Sequence, residues 1–204
     1  MTTILLVRHG HVEGIAPVRF RGRAELPLSD LGRRQAAALG HYIAANFKPE
    51  AVYTSPLSRC RDTGAAIAGH FALTRIAIDG LADIDYGAWQ GLTPEEAARR
   101  WPREVATWQS RPHFVEIPGG ESLAALSARA TAALHGILMR QPAGTLALVG
   151  HESVNRILLL HALELPLSRY WHLGQEPCAL NRLEFSNGGF LTHSINETQH
   201  LAGI

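Results

Sequence analysis

The sequence predicts an α/β protein, a three-layer α/β/α sandwich around a mainly parallel central sheet. Three observations carry that prediction. Apolar runs of strand length recur at residues 3–7 (TILLV), 51–54 (AVYT) and 145–149 (TLALV). The apolar stretches of TILLV and TLALV mark strands buried on both faces, as in a parallel sheet, and AVYT is a short strand between them. Each run is followed by a segment with helical spacing of apolar residues, so strands alternate with helices for most of the chain. The 204 residues suit a single domain, 1–204, and no repeat, low-complexity tract or linker divides them.

The elements follow in order. After the strand at 3–7, Ser29 is placed to cap a helix carrying Leu39, Ile43 and Phe47 at i+4 spacing. The short strand AVYT precedes SPLSRCRDTGAAIAGHF, read as a helix with Ser55 as N-cap and Pro56 at its first position. Its apolar face is Leu57, Cys60, Ile67 and Phe71, which makes Cys60 a core residue rather than a reactive thiol. Residues 75–79 read as a third strand, and 81–121 as loop-rich with one or two short helices near 94–110. Leu123, Leu126, Ala130, Ala133 and Ile137 mark a long amphipathic helix. TLALV leads to a helix from about Ser153. Residues 179–185 and 190–195 form a hairpin turning at NGG, which supplies an antiparallel edge.

Net charge is +1 with 18% charged residues, a balance that excludes a nucleic-acid or membrane-surface role. Two cysteines, Cys60 and Cys178, make no disulfide framework and point to a reducing, cytoplasmic setting. The first apolar run is short and ends at Arg8, unlike a signal peptide, and the longest apolar block, near 157–160, is too short to span a bilayer. No apolar stripe stands apart from the core faces, so the pattern is compatible with a homo-oligomer without arguing for one.

Two buried strands end alike. TILLV runs into Arg8-His9-Gly10, and TLALV into Gly150-His151-Glu152. In open parallel sheets the ligand crevice lies at the carboxyl ends of the strands. AVYT leads to SPLSRCR, which sets Arg59 in the first turn of a helix at the same edge. Two histidines and two arginines thus converge on a pocket for an anion, best a phosphate. A neutral imidazole attacks phosphorus to give a phosphohistidine, and arginines both disfavour the imidazolium and hold the phosphoryl oxygens. The leaving oxygen needs a proton, and LADIDYGAWQG at 81–91 supplies Asp83 and Asp85. Two other chemistries compete. His9-x-His11 with Asp83 and His151 imitates the HxH motif of metal-dependent hydrolase barrels, against which stand two arginines and a chain short for a barrel. The same pocket also suits a binder of phosphorylated ligands without turnover.

Six blocks in order, LVRHG at 6–10, PLSDLGRRQA at 27–36, YTSPLSRCRDT at 53–63, DYGAWQG at 85–91, PGGES at 118–122 and VGHESVNRILL at 149–159, resemble the histidine phosphatase superfamily. This family is also called phosphoglycerate mutase-like. LPLSRYW and INETQHL resemble its small bacterial phosphatase branch. The resemblance implies a phosphoglycerate mutase-like fold, with His9 as the phosphorylated nucleophile and Arg8, Arg59 and His151 completing the phosphate pocket. It implies no metal and no cofactor. The family's acid is usually Glu; its position here holds Asp83, one methylene shorter, with Asp85 as the fallback.

The chain also departs from the pattern at His11, Val12 and Ile15, after RHG. Many members read Arg-x-Gln-Gly where this chain has Arg19-Phe20-Arg21-Gly22. By that match Arg21 and Gly22 contact substrate, and the extra cation at Arg21 suits a more anionic ligand. The short chain between Gly91 and Pro118 favours hydrolysis over mutase activity, because an open site admits water to the phosphohistidine. The expected activity is metal-independent hydrolysis of a small phosphorylated metabolite: phosphoserine, ribazole phosphate, a sugar phosphate or a broad range. Among the other histidines, His41, His70, His135 and His161 read as solvated or structural, and His113 as the best placed to line the substrate mouth. Trp89 and Trp108 read as packing residues, and Glu152 either orients the site or sits in an exposed turn.

Overall fold

In the computed structural model, which describes residues 1–13, 15 and 17–204, six strands form one sheet in the order β3-β2-β4-β1-β5-β6. They are β1 (Thr2–Arg8), β2 (Ala51–Thr54), β3 (Arg75–Ala77), β4 (Gly144–Gly150), β5 (Leu180–Ser186) and β6 (Gly189–Glu197). The first four run parallel, and β5 and β6 are antiparallel. Successive strand residues point to opposite faces, and both faces are covered. Ile4 and Leu6 of β1, with Leu146 and Leu148 of β4, pack on α5 (Leu123–Arg140) and α6 (Glu152–Ala162). Leu5, Val7, Ala147 and Val149 pack on α1 (Asp30–Asn46) and α2 (Ser58–Ala68). The three-layer sandwich expected from the unbroken apolar runs is therefore present. α3 (Pro94–Arg100) and α4 (Pro102–Ser110) occupy the expected loop-rich segment.

Local chemistry sets the ends of these elements. The Ser29 side chain accepts from Gly32 N and starts α1, and Thr93 and Glu96 form a reciprocal capping box on α3. The hairpin turns at Asn187 and Gly188, with φ of 51° and 79°, the two positive values that a type I′ turn demands.

Four expectations need correction. α2 begins at Ser58 with Leu57 as an N-cap lacking any side-chain bond. The Ser55 hydroxyl accepts from Leu57 N at 3.3 Å, but the helix itself starts only at Ser58. Phe71 falls in a separate 3-10 turn, Gly69–Phe71, and Phe47 lies just past the end of α1. The third strand is only three residues and its side chains are exposed, because it is the sheet edge and a 3-10 turn, Asp79–Leu81, follows at once. Ala133 on α5 is only half buried.

β1 and β4 are neighbours in register, Val7 beside Val149 and Arg8 beside Gly150. Their carboxyl ends therefore release His9 and His151 side by side, with the His9 N–H donating to Gly150 O at 3.0 Å. Gly10 is required by close approach rather than by an unusual backbone angle. A Cβ there would stand 2.6 Å from Gly32 O, and one on Gly32 would stand 2.0 Å from His11 O. The chain leaving β1 thus lies directly on the first turn of α1.

Candidate active site

His9 is buried, and its Nδ1–H donates to Gly10 O at 2.7 Å. A carbonyl can only accept, so the proton is held on Nδ1 and the Nε2 lone pair is left for chemistry. Burial, with His151, Arg59 and Arg8 close by, pushes the His9 imidazolium well below the usual histidine range. The His9 and His151 rings meet edge to face with centroids 5.2 Å apart. His151 is likewise held neutral, first by burial and then by Arg59 and Arg8. Its Nδ1 accepts from Arg59 Nε at 3.3 Å, so its Nε2–H donates to Ser55 Oγ at 2.7 Å. Ser55, the residue expected to cap α2, thus serves His151 as well as Leu57 N. Cys60, a core residue as expected, lies with its sulfur 3.4 Å from His151 Nε2, and burial pushes its thiol far up.

Arg59 is fully buried and heavily tethered. Its guanidinium donates to Gly22 O and Ala24 O, both at 2.7 Å, and to Asp83 Oδ2 at 3.1 Å. Arg8 reaches across the β1 end to Gln175 O and pairs with Glu152 at 3.2 Å. Glu152 also pairs with Arg156 at 2.8 Å, so it orients the site rather than standing in an idle turn. Among the described residues, buried Arg8 Nε has no hydrogen-bond partner. An orphaned guanidinium nitrogen is costly, and a phosphate oxygen is the acceptor that fits it.

Asp83 joins this group. Its Oδ2 faces Arg59 and, at 3.5 Å, His151 Nδ1. Its Oδ1 accepts from Ile84 N at 2.9 Å and from Ser153 Oγ. Asp85 points elsewhere. It accepts from Gly87 N at 2.8 Å, pairs with Arg23 at 3.5 Å and lines a separate surface hollow with Arg23 and Glu121. The fallback acid is thus directed out of the site.

Above these groups opens a cavity of about 370 Å³, with Asp83, Ser153, Arg21 and Gly22 in its wall beside Trp108 and Trp171. His9, Arg8, Arg59 and His151 are not in that wall; Asp83 and Gly22, both bonded to Arg59, connect the two levels. Gly22 has φ of 48°, and a Cβ there would stand 2.9 Å from Ile84 O. Only glycine lets the 19–22 segment lie against the acid loop.

His113 does not line the mouth; its ring packs at a tilt against Phe114, centroids 4.1 Å apart. His11 turns away from His9, its Nδ1 bonded to Ser29 Oγ at 2.8 Å. The HxH arrangement therefore does not converge, and among the described residues no three His, Cys, Asp or Glu side chains are grouped to hold a metal ion. Trp89 and Trp108 are buried packing residues, as expected, though Trp108 also faces the cavity.

Sequence reasoning missed the support beneath the acid. Arg129 of α5 forms a bidentate pair with Glu121, at 2.6 and 2.8 Å. The same guanidinium donates to Gly80 O, Ala82 O and Asp83 O at 3.0, 2.7 and 2.9 Å. Glu121 stands in the PGGES block, but nothing in the helical spacing of α5 marks Arg129. Among the described residues no helix is long and apolar enough to cross a membrane.

The chain is similar in sequence and fold to known proteins. The family model described as histidine phosphatase superfamily (branch 1) matches residues 4–198. Phosphoserine phosphatase 1 of Hydrogenobacter thermophilus is 30% identical over 201 residues, covering 98% of this chain and 95% of the relative. Bacillus stearothermophilus YhfR superposes with a TM-score of 0.93 at 26% identity, covering 98% of this chain and 100% of that one. A phosphoserine phosphatase mutant from Entamoeba histolytica, solved in complex with phosphoserine, superposes with a TM-score of 0.85 at 26% identity over 98% of this chain and all of that one.

Proposed function

The chain belongs to the histidine phosphatase superfamily and is a phosphatase of small phosphorylated metabolites, and from that premise we propose how its own residues carry the reaction. His9 Nε2 attacks the phosphorus of a phosphomonoester in line with the leaving oxygen. Arg8, Arg59 and His151 bind the transferring phosphoryl group and balance its charge. The carboxyl group of Asp83 supplies the proton that the departing alkoxide needs, and in the second step accepts a proton from the water that attacks the phosphohistidine. Phosphate leaves, and His9 and Asp83 return to their starting states.

The single observation that carries this reading is the His9 tautomer. Nδ1–H is fixed to Gly10 O, and burial beside two guanidinium groups keeps the ring neutral, so Nε2 is a nucleophile without a preceding proton transfer. Metal independence follows from the same set, because arginines do the work of charge neutralisation.

The mouth informs substrate choice. Phe20, Tyr86, Trp108, Tyr170 and Trp171 line it, together with Gly22 and the charged Arg19, Arg21, Glu152 and Arg156. That lining supports an ester whose alcohol is apolar or aromatic over a small zwitterion such as phosphoserine. The cytoplasm is its place in this reading, which accords with the buried free thiols of Cys60 and Cys178.

Phosphate release from a panel of phosphoserine, sugar, alkyl and aryl monoesters, measured in EDTA, tests the proposal. Turnover is expected, with kcat/KM highest for the apolar and aryl esters. A His9→Ala protein that retained turnover would refute the mechanism, and a preference for phosphoserine would refute the reading of the mouth.

A further inference from the structure

We propose that Ser153 is a catalytic residue, passing the proton between Asp83 and the leaving oxygen of the substrate; the inference rests on the assignment of Asp83 as the acid. Both carboxylate oxygens of Asp83 are already directed at protein groups. Oδ2 is held by Arg59 Nη2 at 3.1 Å and faces His151 Nδ1 at 3.5 Å, on the side of the phosphate pocket. Oδ1 accepts from Ile84 N at 2.9 Å and from the Ser153 hydroxyl. Aspartate has one methylene between backbone and carboxyl, and its backbone is pinned by the bond from Arg129 to Asp83 O. The carboxyl group therefore cannot swing outward without breaking these contacts.

Ser153 stands where the proton is needed. It is the second residue of α6, only 4% exposed, and it shares the wall of the mouth cavity with Asp83. Its Oγ lies 3.5 Å from Ile84 N in addition to its bond with Asp83, so the hydroxyl is held between the acid loop and the cavity. A serine hydroxyl both donates and accepts, which is the requirement for a relay.

The protons balance in both steps. With Asp83 protonated on Oδ1, the O–H donates to Ser153 Oγ, and the Ser153 proton points to the ester oxygen. As the P–O bond breaks and the P–Nε2 bond forms, Ser153 gives its proton to the alkoxide and takes one from Asp83. In the second step water gives a proton to Ser153 Oγ, and Ser153 returns one to Asp83, while the oxygen of that water bonds to phosphorus and the P–Nε2 bond breaks.

The test uses Ser153→Ala, Ser153→Thr and Asp83→Asn, assayed on an alkyl phosphate and on p-nitrophenyl phosphate, whose leaving group scarcely needs an acid. Loss of a general acid typically costs 10²–10⁴-fold. Ser153→Ala is expected to lose about 100-fold in kcat on the alkyl ester and at least tenfold less on the p-nitrophenyl ester. Ser153→Thr, which keeps a hydroxyl, restores most of the alkyl activity, and the p-nitrophenyl rate reports that each protein is folded. In mixtures of H₂O and D₂O the wild-type alkyl rate curves with deuterium fraction, because two protons move together. Ser153→Ala at the wild-type alkyl rate, with Asp83→Asn slow, would overturn the relay and leave Asp83 acting directly. A straight wild-type dependence on deuterium fraction would overturn it in favour of a purely positioning role. Asp83→Asn losing equally on both esters would instead remove the acid assignment itself.

Discussion

Acid weakens this fold through two histidines. His9 and His151 are buried and are pushed well below the usual histidine value of 6.5, first by burial, then for His9 by His151 and the guanidinium groups of Arg59 and Arg8, and for His151 by those guanidinium groups. In the unfolded chain each titrates normally. Above pH 7 both are neutral in both states and have no effect on stability. Below it the unfolded chain takes up protons that the folded chain refuses, so stability falls as pH falls. Between pH 7.5 and 5.5 a histidine with an unfolded pKa of 6.5 that stays neutral when folded costs about 1.4 kcal/mol, and the pair about 2.7 kcal/mol. The window lies above the carboxylate range, so Asp and Glu contribute little. The half-buried His161 and His200 also shift down, and they do so equally in any variant that leaves them intact. Urea unfolding at the two pH values, for wild type and His9→Gln, isolates one histidine. The wild type loses about 1.4 kcal/mol more than the variant over the interval. Equal losses in the two proteins would refute the claim that His9 is a buried neutral imidazole, and with it the argument for an unassisted nucleophile.

Other perturbations are equally specific. Asp83→Asn slows alkyl phosphates far more than p-nitrophenyl phosphate in steady-state assays; Asp85→Asn, whose carboxylate turns to Arg23 and Gly87, does not discriminate between them. Arg129→Met strips Glu121 of its bidentate partner and frees three loop carbonyls, so the urea midpoint drops by the equivalent of about 3 kcal/mol. Gly32→Ala forces a Cβ against His11 O and costs about 2 kcal/mol or more by the same measurement, with kcat lowered because the segment after His9 shifts. Prolonged dialysis against EDTA leaves phosphatase activity intact; activity lost to the chelator and regained with zinc would revive the HxH alternative.

Much of the architecture is legible in apolar continuity. After their leading threonines TILLV and TLALV are apolar throughout, the pattern of a strand covered on both faces, so β1 and β4 and their shared crevice follow from composition. Arg8, His9 and His151, which follow those runs, then point to the proposed anion site without reference to any relative. What stays hidden is decided by long-range contacts. Ser55 and Pro56 carry the local signature of a helix start, and Ser55 Oγ does accept from Leu57 N, yet the same hydroxyl also bonds His151, 96 residues away, and α2 starts three residues later. Arg129 lies on an amphipathic helix like any solvated arginine, and its role emerges only when the turn at 79–81 folds back on α5. His9 and His11 look equivalent in sequence. Strand alternation does not persist past Arg8, and the turn of the chain onto Gly32 sends His11 to Ser29. Ser153 shows no signal at all, since a serine in a helix's first turn is commonplace.

The central claim is that His9 itself carries the phosphoryl group. Rapid acid-free quenching of the enzyme with a phosphomonoester, followed by peptide mass spectrometry under alkaline conditions, reads this directly. The account predicts an acid-labile, base-stable phosphoryl group on the peptide containing His9, formed at a rate no slower than turnover and missing from His9→Ala. Label on another residue, or turnover with no labelled intermediate under conditions where phosphohistidine survives, would contradict it.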